Sequence, residues 1–259
     1  MEPMKAYHND PALKREYLAR VMAHARADEI VHGQYWEGGK GCAVGCTIHG
    51  SEHARYETVL GIPQALAKLE DTIFEGLQNG EAKKFPAAFL RSIKPGADLS
   101  LVQPRFLLAL QRRNLKRLKA SKVRDVACEK AVEQVIAVLL DWVKTGKANE
   151  SAARSAWSSA KSSESAAWSA AKAAAKAAES AWSAWSAAKS SESARSAAEA
   201  AESAESAWSA WSAAEAAARS AAKSSESAAW SAAKAAESAR SAEYSWMAKT
   251  LLKLLREAA

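Results

Sequence analysis

Arg154–Lys172 reads RSAWSSAKSSESAAWSAAK, and the same pattern runs on to Glu243: every residue other than Ala or Ser stands three or four places after the previous one. Gaps of three and four mark neighbours on one face of an α-helix. The stretch has no Gly or Pro and is built on Ala, the strongest helix former, so it predicts helix and not a disordered Ser-rich linker. Its stripe of 27 large residues has a mean gap of about 3.4, short of the 3.6 of a straight helix. The stripe must therefore drift around a straight rod. Either the segment supercoils left-handedly, as coiled coils do, or it breaks into shorter helices that fold back as a stack. Trp182, Trp185, Trp208 and Trp211 are its candidate helix-packing residues. Pairs such as Lys161 with Glu164 add only ~0.2–0.5 kcal/mol each.

Outside the repeat the composition changes. All 11 glycines and all six prolines lie at or before Gly146, whereas eight of the ten tryptophans follow it. The expected organisation is all-α: a globular bundle of five or six helices over residues 1–148, the repeat over 149–243, and an amphipathic helix over 244–259. In that last helix Tyr244, Met247, Leu251 and Leu254 or Leu255 form an apolar seam, with Lys249, Lys253 and Arg256 facing away. Such a seam docks on a partner helix, in the first domain or in another subunit.

Within the bundle, Asn9-Asp10-Pro11 is a helix start, with Asp10 as cap and Pro11 at the first position. That helix is expected to reach about Ile30, with Leu13, Tyr17, Val21 and Met22 inward, and Gly33 to end it. A glycine-rich stretch follows. Ser51 caps a short helix ending at Gly61. Pro63 opens another, with Leu66, Leu69, Ile73 and Leu77 inward and Gly80 closing it. A kinked segment through Pro86 carries Phe89, Leu90 and Ile93. Two longer helices, at about 103–119 and 122–144, complete the set.

The net charge is +7, and nearly all the excess belongs to the bundle, since the chain from Glu150 onward has 13 Lys and Arg against 12 acids. Three cysteines, Cys42, Cys46 and Cys128, are too sparse for a disulfide framework and suit a reducing compartment. The first residues have no apolar leader core, and no stretch is apolar enough for a membrane span. A cytoplasmic location and no membrane partner are expected.

Cys42, Cys46, His49 and His53 place four metal-ligand side chains within 12 residues. In one unbroken helix they would stretch over roughly 16 Å and could not share an ion. Gly45 and Gly50 would let the chain fold back around zinc. His49-Gly-Ser-Glu52-His53 also fits the H-x-x-E-H pattern of inverted zinc peptidases, with Glu129 or Glu133 as a distant third ligand. Alternatively Cys42 is a nucleophile, its pKa lowered by Lys40 and a helix N-terminus, with His53 or His49 as base and Glu57 as orienter. The plainest alternative makes Cys42, Ala43, Val44 and Cys46 buried packing residues with the histidines at the rim. Gly38-Gly39-Lys40-Gly41 lacks the spacing of a phosphate loop.

A basic helix carries Arg105, Arg112, Arg113, Lys116, Arg117 and Lys119, continued by Lys122 and Arg124. It offers phosphate or acidic-protein contacts, without interleaved aromatic residues for base stacking.

Lys40-Gly-Cys-Ala-Val-Gly-Cys-Thr-Ile-His-Gly50, joined to an Ala/Ser repeat, resembles uncharacterised bacteriophage and prophage proteins that attach a similar N-terminal module to Ala-rich repeats. The likeness covers residues 4 to about 100 by motif and the repeat by composition. It implies a phage-related setting and brings no residue roles. The leading expectation is a non-enzymatic interaction or assembly protein working through helix–helix packing, with itself or a host protein as partner. The alternatives are a small enzyme or metal-binding domain built on the Cys/His cluster, with zinc as the cofactor, and a nucleic-acid binder using the basic helix.

Overall fold

The computed structural model describes residues 4–120, 126–149, 151–152 and 238–258. The chain divides into two compact units, residues 1–160 with 238–259 and residues 161–237. The second unit lies outside the described residues, and with it Trp182, Trp185, Trp208, Trp211 and the choice between supercoil and stack. The first unit is all-α. No strand forms among its described residues, only isolated bridges such as Ile30 with Gly41.

Helix α1 spans Pro11–Arg26, and the Asp10 side chain caps it by accepting from the Ala12 N–H at 2.7 Å. It stops short of Ile30 because Asp28 adopts a left-handed φ of 59° and turns the chain. Tyr17 and Val21 are buried as expected, whereas Met22 faces solvent. A six-residue helix, α2, spans Ala43–Ile48 with Cys42 as its N-cap, as the reading of Cys42 at a helix N-terminus expected. Every one of its residues is buried, because α1, α4 and α6 all pack against it.

Helix α3, Arg55–Leu60, begins later than a Ser51 cap would start it and ends at Gly61 with φ 60°. Helix α4 spans Gln64–Gly76 and buries Leu66, Ile73 and Phe74. It ends before Gly80 because Leu77 is already extended. Short α5 (Asn79–Ala82) and α6 (Phe85–Ser92) form the segment around Pro86, which sits in the first turn of α6, where a missing N–H costs nothing. Helices α7 (Val102–Ala120) and α8 (Val126–Thr145) pack along each other.

The final helix, α9 over 238–257, closes the head. Leu251 and Leu255 are 0% exposed and belong to the same core as Leu66, Phe89 and Tyr56. Tyr244 lies against Gly76, where an added Cβ would meet its ring at 2.2 Å. Glu243 pairs with Arg113 at 3.2 Å and with Arg117, and the Arg113 guanidinium stands 4.5 Å over the Trp246 ring. The apolar seam read from the sequence thus docks on the first domain. Among the described residues, no helix is long and apolar enough to cross a membrane.

Candidate functional site

The glycines of the Cys42 region serve close approach. The carbonyl oxygen of Tyr35 lies so near α2 that a Cβ on Gly41 would meet it at 1.9 Å and one on Gly45 at 1.3 Å. Gly45 lets α2 approach that carbonyl, and Gly41, at the end of the 31–41 loop, lets the loop turn back close to Tyr35. Backbone bonds hold the loop there: Cys42 N–H donates to Gln34 O at 2.6 Å, Val31 N–H to Gly41 O at 2.9 Å, and Gly41 N–H to Glu29 O at 3.0 Å. The loop delivers Tyr35 and Trp36 to two separate clusters, one involving each end of α2.

At the N-terminal end Cys42 is the cap residue, its sulfur accepting from the Gly45 N–H at 3.5 Å. One ligand atom each from Cys42, Asp71 and Glu75 lie within 4.8 Å of one another. Asp71 Oδ2 is held by His53 Nε2 at 3.2 Å and accepts from the Tyr35 hydroxyl at 3.4 Å. Its other oxygen, Oδ1, is buried with no hydrogen-bond partner among the described residues. The Glu75 carboxylate accepts from the Gly33 N–H at 3.0 Å through both oxygens. Burial pushes the Cys42 thiol up to about 12, and the negative charge of Asp71 adds to that shift. The expected activated nucleophile is therefore corrected: burial and a carboxylate outweigh the helix terminus, and Lys40 acts on Asp28 instead.

At the C-terminal end, His49 caps α2 with left-handed dihedrals, φ 50° and ψ 56°. Its Nε2 lies 2.9 Å from His24 Nε2, and His24 Nδ1 lies 2.6 Å from Glu29 Oε2. Trp36 stacks on His49, with ring centres 4.1 Å apart and planes 13° from parallel. Partial burial lowers the His49 pKa below the usual imidazole range, and electrostatic interactions with Arg20, His24 and Arg55 lower it further.

The four residues read as one metal set thus separate. Cys42 and His53 meet at Asp71, His49 goes to His24, and Cys46 turns inward to donate to Gly41 O at 3.3 Å. Burial pushes the Cys46 thiol up to about 12 as well, so it is a packing residue. The inverted-peptidase arrangement also fails, because the chain is not helical between His49 and His53. Glu133, one of its proposed ligands, pairs with Lys119 at 2.7 Å, while Glu129 is buried on α8. Glu57 orients no histidine. It accepts from the Gln64 N–H at 2.8 Å, at the start of α4. On the basic helix, Arg113 and Arg117 are engaged by Glu243 and Lys119 by Glu133. Arg105, Arg112 and Lys116 remain exposed. Lys122 and Arg124 lie outside the described residues.

Behind Asp71, Glu70 is fully buried and accepts from the Tyr56 hydroxyl at 2.8 Å. Burial holds its carboxyl well above the usual range, and the neighbouring Asp71 charge adds to the shift. A raised folded-state pKa means the native state keeps a proton that the unfolded chain releases, so stability falls as pH rises above about 4.3 until the folded pKa is passed. Glu70→Gln is expected to flatten that slope, worth about 1.4 kcal/mol per pH unit at full effect, in urea titrations between pH 4.5 and 7.5. An unchanged slope would show that Glu70 is ionised in the fold.

Asp71, Glu75, Tyr35, His24, Glu29 and Trp36 were not singled out in the sequence. The available signal was weak: Asp71 and Glu75 are one turn apart on α4, which reads as an ordinary solvated edge. Compared with known proteins, the chain matches no family model, no curated protein and no solved structure.

Proposed function

We propose that the head is a divalent-metal domain, with zinc as its ion and Cys42, Asp71 and Glu75 as its ligands. One observation carries the reading: a thiol and two carboxylates converge within 4.8 Å, and the buried Oδ1 of Asp71 has no hydrogen-bond partner among the described residues. Zinc takes sulfur at about 2.3 Å and carboxylate oxygen at about 2.0–2.2 Å, so sub-ångström closure of the side chains completes the site. His53 and Tyr35 hold the second Asp71 oxygen, as outer partners do in metal sites. Three protein ligands leave a fourth position for water, the arrangement of zinc sites that polarise a substrate or generate hydroxide.

The test is calorimetric titration of chelator-treated full-length protein with zinc chloride. One equivalent is expected, with proton release, because Cys42 must ionise on binding and its thiol is held protonated. Cys42→Ser and Asp71→Asn are expected to abolish tight binding, and His53→Gln to weaken it about 10–100-fold. Glu57→Gln should leave it unchanged. No binding, or binding indifferent to Cys42→Ser, would refute the reading.

An assembly role for the repeat stands beside it as a second reading. Helix α8 leaves Val126 57% and Leu140 42% exposed, apolar surface that an Ala/Ser-faced helix of another copy or of a host protein would cover. The likeness to phage proteins fits that setting.

A further inference from the structure

The cluster at the far end of α2 is chemically distinct from the Cys42 cluster. Glu29, His24 and His49 form an unbroken chain of hydrogen bonds, 2.6 Å and then 2.9 Å, running from a carboxylate to an exposed imidazole. We propose that this chain is a proton relay whose terminal atom, Nδ1 of His49, is the general base of a second site acting on phosphate esters.

The relay requires one set of tautomers. With both imidazoles neutral, His24 Nδ1–H donates to the Glu29 carboxylate and His24 Nε2 accepts from His49 Nε2–H, which leaves a lone pair on His49 Nδ1. No hydrogen bond from a described residue reaches that Nδ1. The Trp36 face fixes the plane of the ring, and the left-handed backbone of His49 holds it at the end of the helix, a strained conformation of the kind that gathers at functional sites.

Two guanidinium groups supply the substrate class. Arg20 donates to Thr47 O and Arg55 to Ile48 O, both at 3.1 Å, so each is anchored beside the last residues of α2 next to His49. Each retains N–H groups for an anion, although Arg20 also pairs with Glu16 at 3.0 Å. Anchored guanidinium pairs suit the tetrahedral oxygens of a phosphate. The charged and titratable groups facing His49 are therefore Arg20 and His24 from α1, Arg55 from α3, and Glu29 through His24.

In the reaction, His49 Nδ1 takes a proton from a water molecule as the water oxygen bonds to phosphorus. The His49 Nε2 proton moves to His24, which places the positive charge beside Glu29. The P–O bond to the leaving group breaks on the far side, the departing oxygen takes a proton from solvent, the relay runs back, and Nδ1 returns its proton to water. The products are an alcohol and a phosphate, and the protein is unchanged. The relay uses none of the three proposed metal ligands, so it stands or falls separately.

The full chain is to be assayed with bis(4-nitrophenyl) phosphate and 4-nitrophenyl phosphate. Turnover of at least one probe is expected, with kcat reduced about 10²–10⁴-fold in His49→Ala. In Glu29→Gln the acid limb of the pH–rate profile should move to lower pH, because the relay loses the negative charge at its end. A merely structural role for Glu29 would lower the rate without moving the limb. Imidazole ¹⁵N spectra of the unmutated protein give an independent reading that needs no variant. They should show His49 protonated at Nε2 and not Nδ1 at neutral pH, with inorganic phosphate perturbing the His49 signals. No turnover of either probe, turnover indifferent to His49→Ala, or a His49 protonated at Nδ1 would overturn the proposal.

Discussion

Deleting residues 244–259 is expected to unfold the head, although the repeat separates those residues from it in sequence. Leu251 and Leu255 have no exposed surface, and Ala248 and Ala258 are buried in the same cluster. Truncating one fully buried leucine to alanine costs about 2–5 kcal/mol, so removing both side chains approaches the whole stability of an ordinary domain, about 5–15 kcal/mol. The deletion also uncovers Gly76, which loses the Tyr244 ring, and leaves Arg113 without Trp246. Thermal melts of residues 1–243 against the full chain make the comparison. Residues 1–243 should show no cooperative transition, or one lowered by more than ten degrees, and Leu255→Ala should fall between. Equal midpoints would show that α9 adds nothing to the core.

The second large effect is expected at Gly45. Its Cβ position is 1.3 Å from the Tyr35 carbonyl oxygen, a backbone atom that cannot rotate away as a side chain would. Gly45→Ala must lift the 31–41 loop, breaking the Cys42 N–H to Gln34 O bond. It also withdraws Trp36 from His49 and Tyr35 from Asp71. The cost is expected to reach about 3 kcal/mol, the upper range for overpacking, with both zinc binding and phosphate-ester hydrolysis lost. Denaturant titration and the zinc titration together check it. A variant with unchanged midpoint and affinity would mean that the loop sits elsewhere. Gly76 is a milder case, because the obstacle there is the Tyr244 side chain, which can turn.

The fold was legible wherever local signals and tertiary packing agree. Asp10-Pro11, the apolar spacing of α7 and α8, and the seam of Leu251 all mark helices that form, although α1 ends at Arg26 and the last helix begins before Tyr244. The start of α2 at Cys42 was legible but its extent was not, because Gly45 within it and Gly41 and Gly50 on either side read as loop breakers. In the folded chain, Gly41 and Gly45 are there for the closeness of a neighbouring backbone, information that lies in Tyr35 and not in the helix itself. The site divides in the same way. Cys42 and His53 stood out as reactive residue types, but the Asp71 that joins them is 18 positions from His53, on a helix whose apolar face dominates its pattern. Glu29 escaped notice because α1 was extended past it. Five residues apart on a continuous helix, His24 and Glu29 would diverge, and it is the left-handed turn at Asp28 that brings the carboxylate back.

The repeat also acquires a different standing. Residues 161–237 interrupt, in sequence, a unit to which residues 1–160 and 238–259 both belong, so α9 returns the chain to the core of the first domain.

The most direct measurement of the central claim is X-ray absorption at the zinc edge on the full-length protein loaded with one equivalent of zinc. The account predicts one sulfur at about 2.3 Å, from Cys42, with the remaining ligands oxygen or nitrogen near 2.0–2.2 Å, and loss of the sulfur shell in Cys42→Ser. A shell with two sulfurs would bring Cys46 back as a ligand, and a shell with none would place zinc away from Cys42; either result contradicts the site.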